Sequence, residues 1–257
     1  MIKDKIISQI ICILIYAISF YLSYILLPES ISYIWMKITL WHIYATLFIY
    51  IGSVILKNSS LYDPFWSVAP VPIVIYLAIN SDNSILLKIL VTFPIIFWAA
   101  RLTRNWLISW KGFEHEDFRY IDLKNTNIYK AEFNNFFGIH LFPTLIVNIC
   151  LYPLVFIFLN SVEVTPFLYF ASIFTFMAVV LETVSDEQMR QFRNNPNNKG
   201  KTMKYKLWKY SRHPNYLGEI CFWFGIYFMG LSSNLAPIWI IICLLYTSDA
   251  ADDLVGV

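Results

Sequence analysis

Long apolar runs constrain the fold of this chain more than any other feature of its sequence. Residues 6–27 and 36–56 are both predominantly apolar, and each is as long as an α-helix that crosses a bilayer. Further apolar runs follow at about 68–79, 85–100, 139–159, 165–184 and 215–230. Only 14% of the residues are charged, against about 25% in soluble domains. The sequence therefore predicts an integral membrane protein of all-α class, a polytopic transmembrane helical bundle of about seven to eight spans.

The last apolar run is too short to cross a bilayer. It begins near Ala236 and meets Thr247, and about eleven helical residues cover only roughly 16 Å. Residues 247–257 are small and acidic, unlike the rest of the chain. We interpret 247–257 as a foreign or truncated tail and 1–246 as a single membrane domain.

The positive charge is concentrated in two segments. Fourteen of the nineteen Lys and Arg residues lie in 101–130 and 190–212. Loops of the cytoplasmic side usually carry the excess of Lys and Arg. We therefore predict a multi-pass protein with a cytoplasmic N-terminus and both basic segments in the cytoplasm. Nothing in this charge distribution favours a nucleic-acid partner.

The sequence SRHPNYLGE, at 211–219, stands where a basic segment meets an apolar one. Pro214 suits the first turn of a helix, which we expect to run from about Asn215 to Gly230. Asn215 and Glu219 are four residues apart, so their side chains share a face of this helix. An acid at membrane depth is costly and usually functional. We therefore place a functional site here.

Two further residues precede this helix. Arg212 and His213 lie where a helix N-terminus attracts an anionic ligand. His213 has no second histidine or cysteine at metal-ligand spacing, and we predict no metal site.

The end of the sixth apolar run carries a second polar pattern. Glu182, Asp186, Arg190 and Arg193 are spaced by four, four and three residues and share one helical face. One interpretation is an ordinary solvated helix end with ion pairs; the other is a ladder that grips a nucleotide through Arg–phosphate and acid–ribose contacts. The sequence contains neither GxGxxG nor a P-loop pattern, which excludes those nucleotide sites.

Two other polar segments interrupt the apolar runs. In LYDPFWS, Asp63 is expected to cap the helix that begins at Pro64, and a substrate role for Tyr62, Asp63 and Trp66 is the alternative. HEDFRY, at 115–120, fits either a solvated interfacial loop or a lid over a site.

Taken together, these motifs resemble the steroid 5α-reductase family. SRHPNYLGE, preceded by SDEQMRQFR, carries the resemblance, and DPFWS, RLTRNW and HEDFRY look similar to a bacterial-type branch of unassigned substrate. RHPNY alone is shared with sterol C14-reductases and isoprenylcysteine carboxyl methyltransferases. The resemblance implies a multi-helix membrane fold and NADPH bound by the C-terminal helices, about 165–246, in a cavity that faces the cytoplasm. It also implies reduction of a C=C bond conjugated to a carbonyl in a lipid or steroid-like substrate.

The same resemblance assigns roles to individual residues. Asp186, Arg190 and Arg193 would hold the phosphate and ribose portions of the cofactor, and Arg212, Asn215 and Glu219 would line it nearer the nicotinamide. Glu182, His213 and Tyr216 complete the expected cofactor-binding set. The resemblance does not identify the group that polarises or protonates the carbonyl, and our own candidates are Tyr62, Asp63 and Tyr216. The second span lacks the acid with which the eukaryotic enzymes bind a steroid, and the family's C-terminal segment is missing or replaced.

Two alternatives remain open from the sequence. A methyl transferase acting on a lipid or prenylcysteine would place S-adenosylmethionine in the same cleft, but that cofactor needs fewer cations than the three phosphates of NADPH. A non-catalytic lipid-binding protein would show no nucleotide affinity and no sensitivity to changes at Asn215 or Glu219.

Overall fold

The computed structural model describes residues 4–236, and every regular element within this range is a helix, which confirms the predicted all-α class. The α-helices are α1 (Lys5–Ile25), α2 (Ile34–Leu56), α3 (Phe65–Val68), α4 (Pro70–Ile79), α5 (Ile85–Ser109), α6 (Phe118–Lys124), α7 (Ile128–Phe133), α8 (Phe142–Cys150), α9 (Tyr152–Leu159), α10 (Pro166–Asn194) and α11 (Pro214–Leu231). Single 3-10 turns form at Ser59–Leu61, Pro196–Asn198 and Lys206–Lys209, and a π-helix forms at Asn134–Leu141.

Six helical segments of the described chain are long and apolar enough to cross a membrane. They are α1, α2, Ser59–Ile79, α5, Ile128–Leu159 and α10. The predicted seventh helix is also present as α11, which carries Asn215 and Glu219 in its first turns and is not among these six. The short eighth run and the tail lie outside the described residues. A multi-pass helical membrane protein follows from these segments.

The surface of α1 has the arrangement expected of a helix in lipid. Its buried face consists of Ser8, Cys12, Tyr16, Ser19 and Ser23. The outward-facing residues are large and apolar, and include Ile6, Ile13 and Ile18, each more than half exposed. Small residues at helix contacts and large apolar residues outside are typical of membrane helices.

Two segments differ from the sequence prediction. The third span begins at Ser59 rather than near 68, as a 3-10 turn followed by α3 and α4. Prolines explain these breaks, because Pro64 and Pro70 each stand at the start of a new helix, where the missing N–H is tolerated. The polar stretch 121–137, for which the sequence predicted no helix, contains α7 and parts of α6 and the π-helix.

The described chain divides into two compact units. The first comprises the residues up to Tyr76 and Ala99–Leu151, and the second comprises Leu77–Trp98 and the described residues from Tyr152 onward. In the first unit, the fully buried ring of Phe65 packs against Tyr16 and Phe20, with ring centroids 5.9 and 5.5 Å away.

The core of the second unit is the contact between α10 and α11. Gly218 and Gly225 both face α10, and a Cβ atom at either position would collide with it, at Glu182 and Thr175 respectively. The two helix backbones can therefore approach closely only because these α11 positions lack side chains. This close approach positions the polar groups described next.

Candidate functional site

Asn215 lies in the first turn of α11 and is bonded to α10. Its side-chain Nδ2 donates a hydrogen bond to Asp186 Oδ1 over 3.2 Å, across 29 residues of sequence. The other amide atom, Oδ1, is buried and accepts no hydrogen bond from any residue in 4–236. A buried polar atom without a partner is uncommon and unfavourable in a protein. The amide of Asn215 can therefore accept a hydrogen bond from a bound molecule.

Glu219, one turn further along α11, is held by two tryptophans. Trp98 Nε1 donates to Oε2 over 3.0 Å, and Trp223 Nε1 donates to Oε1 over 2.9 Å. Trp98 is fully buried, and its ring stacks on Phe222 with centroids 4.6 Å apart. Since an indole N–H is a neutral donor, these two bonds orient the carboxylate without neutralising its charge.

Trp98 is a site residue that the sequence reasoning missed. It belongs to α5, 121 residues before Glu219, and nothing in its local sequence distinguishes it from other apolar positions. A usable signal was the acid itself, since a carboxylate in an apolar helix needs donors and the indoles of neighbouring spans can supply them.

The four residues of the predicted ladder do not share one environment, because the acids are packed against α11 and the arginines are exposed. Glu182 is buried under Gly218, and Asp186 bonds to Asn215, so the two acids face α11. Arg190 and Arg193 are exposed. Arg190 pairs with Glu187, its Nε lying 3.0 Å from Oε2. The acids and the arginines of α10 are thus separated along the helix, with the arginines at its C-terminal end.

The loop between α10 and α11 folds back onto α10. Trp208 Nε1 donates to the carbonyl of Ser185 over 3.1 Å, and the backbone N–H of Leu207 donates to Gln188 Oε1 over 3.2 Å. The segment 193–212 contains seven Lys or Arg residues and no Asp or Glu. The folded loop therefore holds a strongly cationic surface beside the end of α10.

The remaining predicted residues of this unit lie where the loop meets α11. Arg212 is exposed, and the ring of His213 lies between those of Trp208 and Tyr216, at centroid distances of 6.4 and 5.5 Å. Tyr216 is 39% exposed. Within residues 4–236, no group of three or more His, Cys, Asp and Glu side chains is arranged to hold a metal ion.

Tyr62 and Asp63 belong to the first unit, and both have partners there. The buried Tyr62 hydroxyl lies 2.8 Å from Thr144 Oγ1, and Tyr120 Oη donates to Asp63 Oδ1 over 2.6 Å. The prediction that Asp63 caps the following helix is wrong. Pro64 is the N-cap of α3 and no side chain caps it, because the Asp63 carboxylate turns instead to the phenol of Tyr120.

The HEDFRY segment is tied to the start of the third span. Asn58 Nδ2 donates to the carbonyl of His115 over 3.3 Å, and the backbone N–H of Asp117 donates to Ser60 Oγ over 2.9 Å. Asp117 also caps α6 and pairs with Arg119. Hydrogen bonding from Arg119 lowers the pKa of Asp117, and burial raises the pKa of Tyr120. The segment therefore packs against 58–63, while His115, Phe118 and Arg119 are exposed.

A cavity of about 400 Å³ lies between these segments. Its lining includes Asp63, Trp66, Trp106, Trp110, Asp117 and Arg119. The rings of Trp106 and Trp110 stack with centroids 4.9 Å apart. Both indole nitrogens are buried, and neither has a hydrogen-bond partner in the described part of the chain. These two tryptophans are not among the site residues that the sequence predicted.

Comparison with known proteins matched the chain to a protein family. The model of a family described as a protein of unknown function (DUF1295) matches residues 49–251, which include every predicted site residue. No curated protein and no solved structure matches the chain.

Proposed function

The chain belongs to the DUF1295 family, and on this premise we propose that it is a membrane-embedded reductase that uses NADPH. Its substrate would be a lipid or steroid-like molecule with a C=C bond conjugated to a carbonyl. The family is related to steroid 5α-reductase-like proteins, which supports the proposed class of reaction.

The observation that carries the proposal is the pair of polar groups on the first turns of α11. Asn215 presents a buried amide oxygen without a partner among residues 4–236, and Glu219 presents a carboxylate fixed by Trp98 and Trp223. A nicotinamide carboxamide has an N–H₂ group that can donate to both. Each carboxylate oxygen can accept more than one hydrogen bond, so Glu219 can do so without releasing its tryptophans.

The phosphates of the cofactor would be held by the exposed arginines nearby. Arg193 and Arg212 are exposed, and Arg190 can exchange its half-buried partner Glu187 for a phosphate. The guanidinium group binds phosphate with two parallel hydrogen bonds. S-adenosylmethionine carries one carboxylate and no phosphate, so this excess of cations favours NADPH over the methyl donor.

The chemistry requires a donor at the carbonyl of the substrate. When bound, NADPH supplies a hydride to the β-carbon of the conjugated system, after which the α-carbon takes up a proton. Tyr216 is our candidate for the donor that stabilises the enolate oxygen, because its side chain is accessible and it lies in the same unit as Asn215 and Glu219. An oriented donor of this kind contributes about 3–4 kcal/mol. Tyr62 and Asp63 are the other candidates, but both are engaged, with Thr144 and Tyr120.

The test is cofactor binding by the detergent-purified protein, measured by calorimetry with NADPH and with S-adenosylmethionine. We expect saturable NADPH binding that Arg193→Ala and Glu219→Gln each weaken by about tenfold or more, as for the loss of a charged hydrogen bond. The exposed residues Arg104 and Glu29 of the first unit provide matched controls, Arg104→Ala and Glu29→Gln, which should leave the affinity unchanged.

The other outcomes are equally informative. Preferential binding of S-adenosylmethionine would favour the methyl transferase. Binding of neither molecule by protein with a normal unfolding transition would contradict both enzymatic functions.

A further inference from the structure

We propose that the cavity of the first unit binds a zwitterionic headgroup, an organic ammonium joined to a phosphate, as in phosphocholine or phosphoethanolamine. The site is distinct from the proposed cofactor residues, all of which belong to the second unit. Three properties of the lining carry this inference: its indole rings and net charge, its unpaired donors and its place along the spans.

The rings and charges of the cavity suit an ammonium group. Trp66, Trp106 and Trp110 all line it, and the indole face is the best aromatic partner for an organic cation. The charged lining residues are Asp63, Asp117 and Arg119, which leaves one net negative charge. Arg119 is already engaged by both oxygens of Asp117. The carboxylate that remains for a cation is Asp63, which accepts from the neutral phenol of Tyr120 and forms no ion pair with Arg119.

The unpaired donors of the cavity suit an oxygen-bearing partner. Trp106 and Trp110 are 9% and 6% exposed, and their N–H groups find no acceptor in the described chain. Leaving a buried donor unsatisfied costs about 1–3 kcal/mol each, which a ligand oxygen would recover. A phosphate offers several such oxygens. An ammonium alone would leave both N–H groups unpaired, and a phosphate alone would be repelled by the net negative charge of the lining.

The position of the cavity agrees with a lipid source. Ser60 and Ser67, which help to line it, stand near the start of the span Ser59–Ile79, and Asn105 and Ser109 stand near the end of the next span, Ile85–Ser109. The start of one span and the end of the next lie on the same side of a membrane. Tryptophan is enriched at this depth, the level of lipid headgroups. A free phosphocholine molecule has the same chemistry, so the experiment has to separate the two sources.

The first measurement is calorimetric binding to the detergent-purified protein. The probes are phosphocholine, phosphoethanolamine, tetramethylammonium and inorganic phosphate. We expect a phospho-ammonium compound to bind more tightly than either half alone.

The Asp63→Asn variant should bind tetramethylammonium and phosphocholine about tenfold more weakly, as for the loss of a desolvated cation contact. The pair Trp106→Phe and Trp110→Phe keeps the aromatic faces but removes the N–H donors, so it should weaken phosphocholine more than tetramethylammonium. Trp35→Phe, at a position outside the lining, is the control.

The second measurement identifies the source. Native mass spectrometry of the protein released from nanodiscs should detect a retained phosphatidylcholine or phosphatidylethanolamine in preference to phosphatidylglycerol, and less of it in Asp63→Asn. Binding of soluble phosphocholine without retained lipid would assign the site to a free metabolite of the same chemistry.

Three results would overturn the inference. One is no binding of any probe by protein that unfolds normally. Another is that the Trp35→Phe control and the cavity variants bind phosphocholine with equal affinity. The third is loss of NADPH affinity in the cavity variants with phosphocholine unaffected, which would assign the cavity to the nucleotide. Because the phosphocholine assay does not involve NADPH, failure of the proposed reductase function leaves this inference testable.

Discussion

At the scale of single residues, the two hydrogen bonds accepted by the Glu219 carboxylate predict how its substitution changes stability. Each of its oxygens accepts from a different indole. Glu219→Gln replaces one acceptor with an N–H₂ group, which then faces an indole donor. We expect this change to lower the free energy of unfolding by about 1–3 kcal/mol, measured by thermal unfolding in detergent.

A double-mutant cycle of Glu219→Gln with Trp223→Phe checks the cause. Removing that indole N–H allows the introduced amide to turn its oxygen to Trp98, so the double variant should be more stable than the sum of the single losses predicts. Strict additivity would contradict the donor–donor explanation.

The residues of this site were predictable only in part. The spacing of Asn215 and Glu219 predicted one shared face of a helix, since residues four apart are neighbours on any α-helix. The bond from Asn215 to Asp186 and those from the tryptophans depend on how helices pack, which periodicity does not specify. Asp63 shows the same limit, because its local sequence suggested a helix cap while a phenol 57 residues away took the carboxylate.

At the scale of elements, the contact of α10 with α11 depends on a glycine. Gly218→Ala would place a methyl group against Glu182 and the carbonyl of Ala178, which is backbone and cannot move aside. We expect a loss of about 1–3 kcal/mol of stability from this overpacking, together with weaker NADPH binding if the helices separate. Thermal unfolding and calorimetry measure the two effects.

The matched control is Gly138→Ala, where a Cβ atom meets nothing within 4 Å. That variant should be as stable as the parent protein or slightly more so, since alanine is the better helix former. Equal behaviour of the two variants would show that the close approach at Gly218 is unimportant.

Helix boundaries were predictable where a residue marks them. Pro214 marked the start of α11, and the shared helical face of the ladder residues predicted that the sixth helix continues beyond its apolar run, as α10 does to Asn194. The division of the third span was not predicted, although Pro64 and Pro70 mark the starts of its helices, because the span was taken to begin only near 68. The polar helices α6 and α7 were missed, since they have no apolar periodicity to mark them.

At the scale of the whole molecule, the distribution of Lys and Arg predicts which loops face the cytoplasm. In a protein whose four cysteines have been replaced by alanine, we expect a membrane-impermeant maleimide to label Asp82→Cys in intact cells. Lys201→Cys should be labelled only after the membrane is opened. Both positions are exposed, so accessibility does not limit either reaction. Labelling of Lys201→Cys in intact cells would reverse the predicted orientation.

The carboxylate shared by two indoles also has a consequence for how such a sequence can diverge. Trp98 and Trp223 both donate to Glu219, so replacing the acid removes a hydrogen-bond acceptor from both indoles at once. Drift at these three positions is therefore coupled, although 121 residues separate the first two. In a related protein that lacks the acid, we therefore expect both tryptophans to be replaced as well, so that the three residues are kept or lost together.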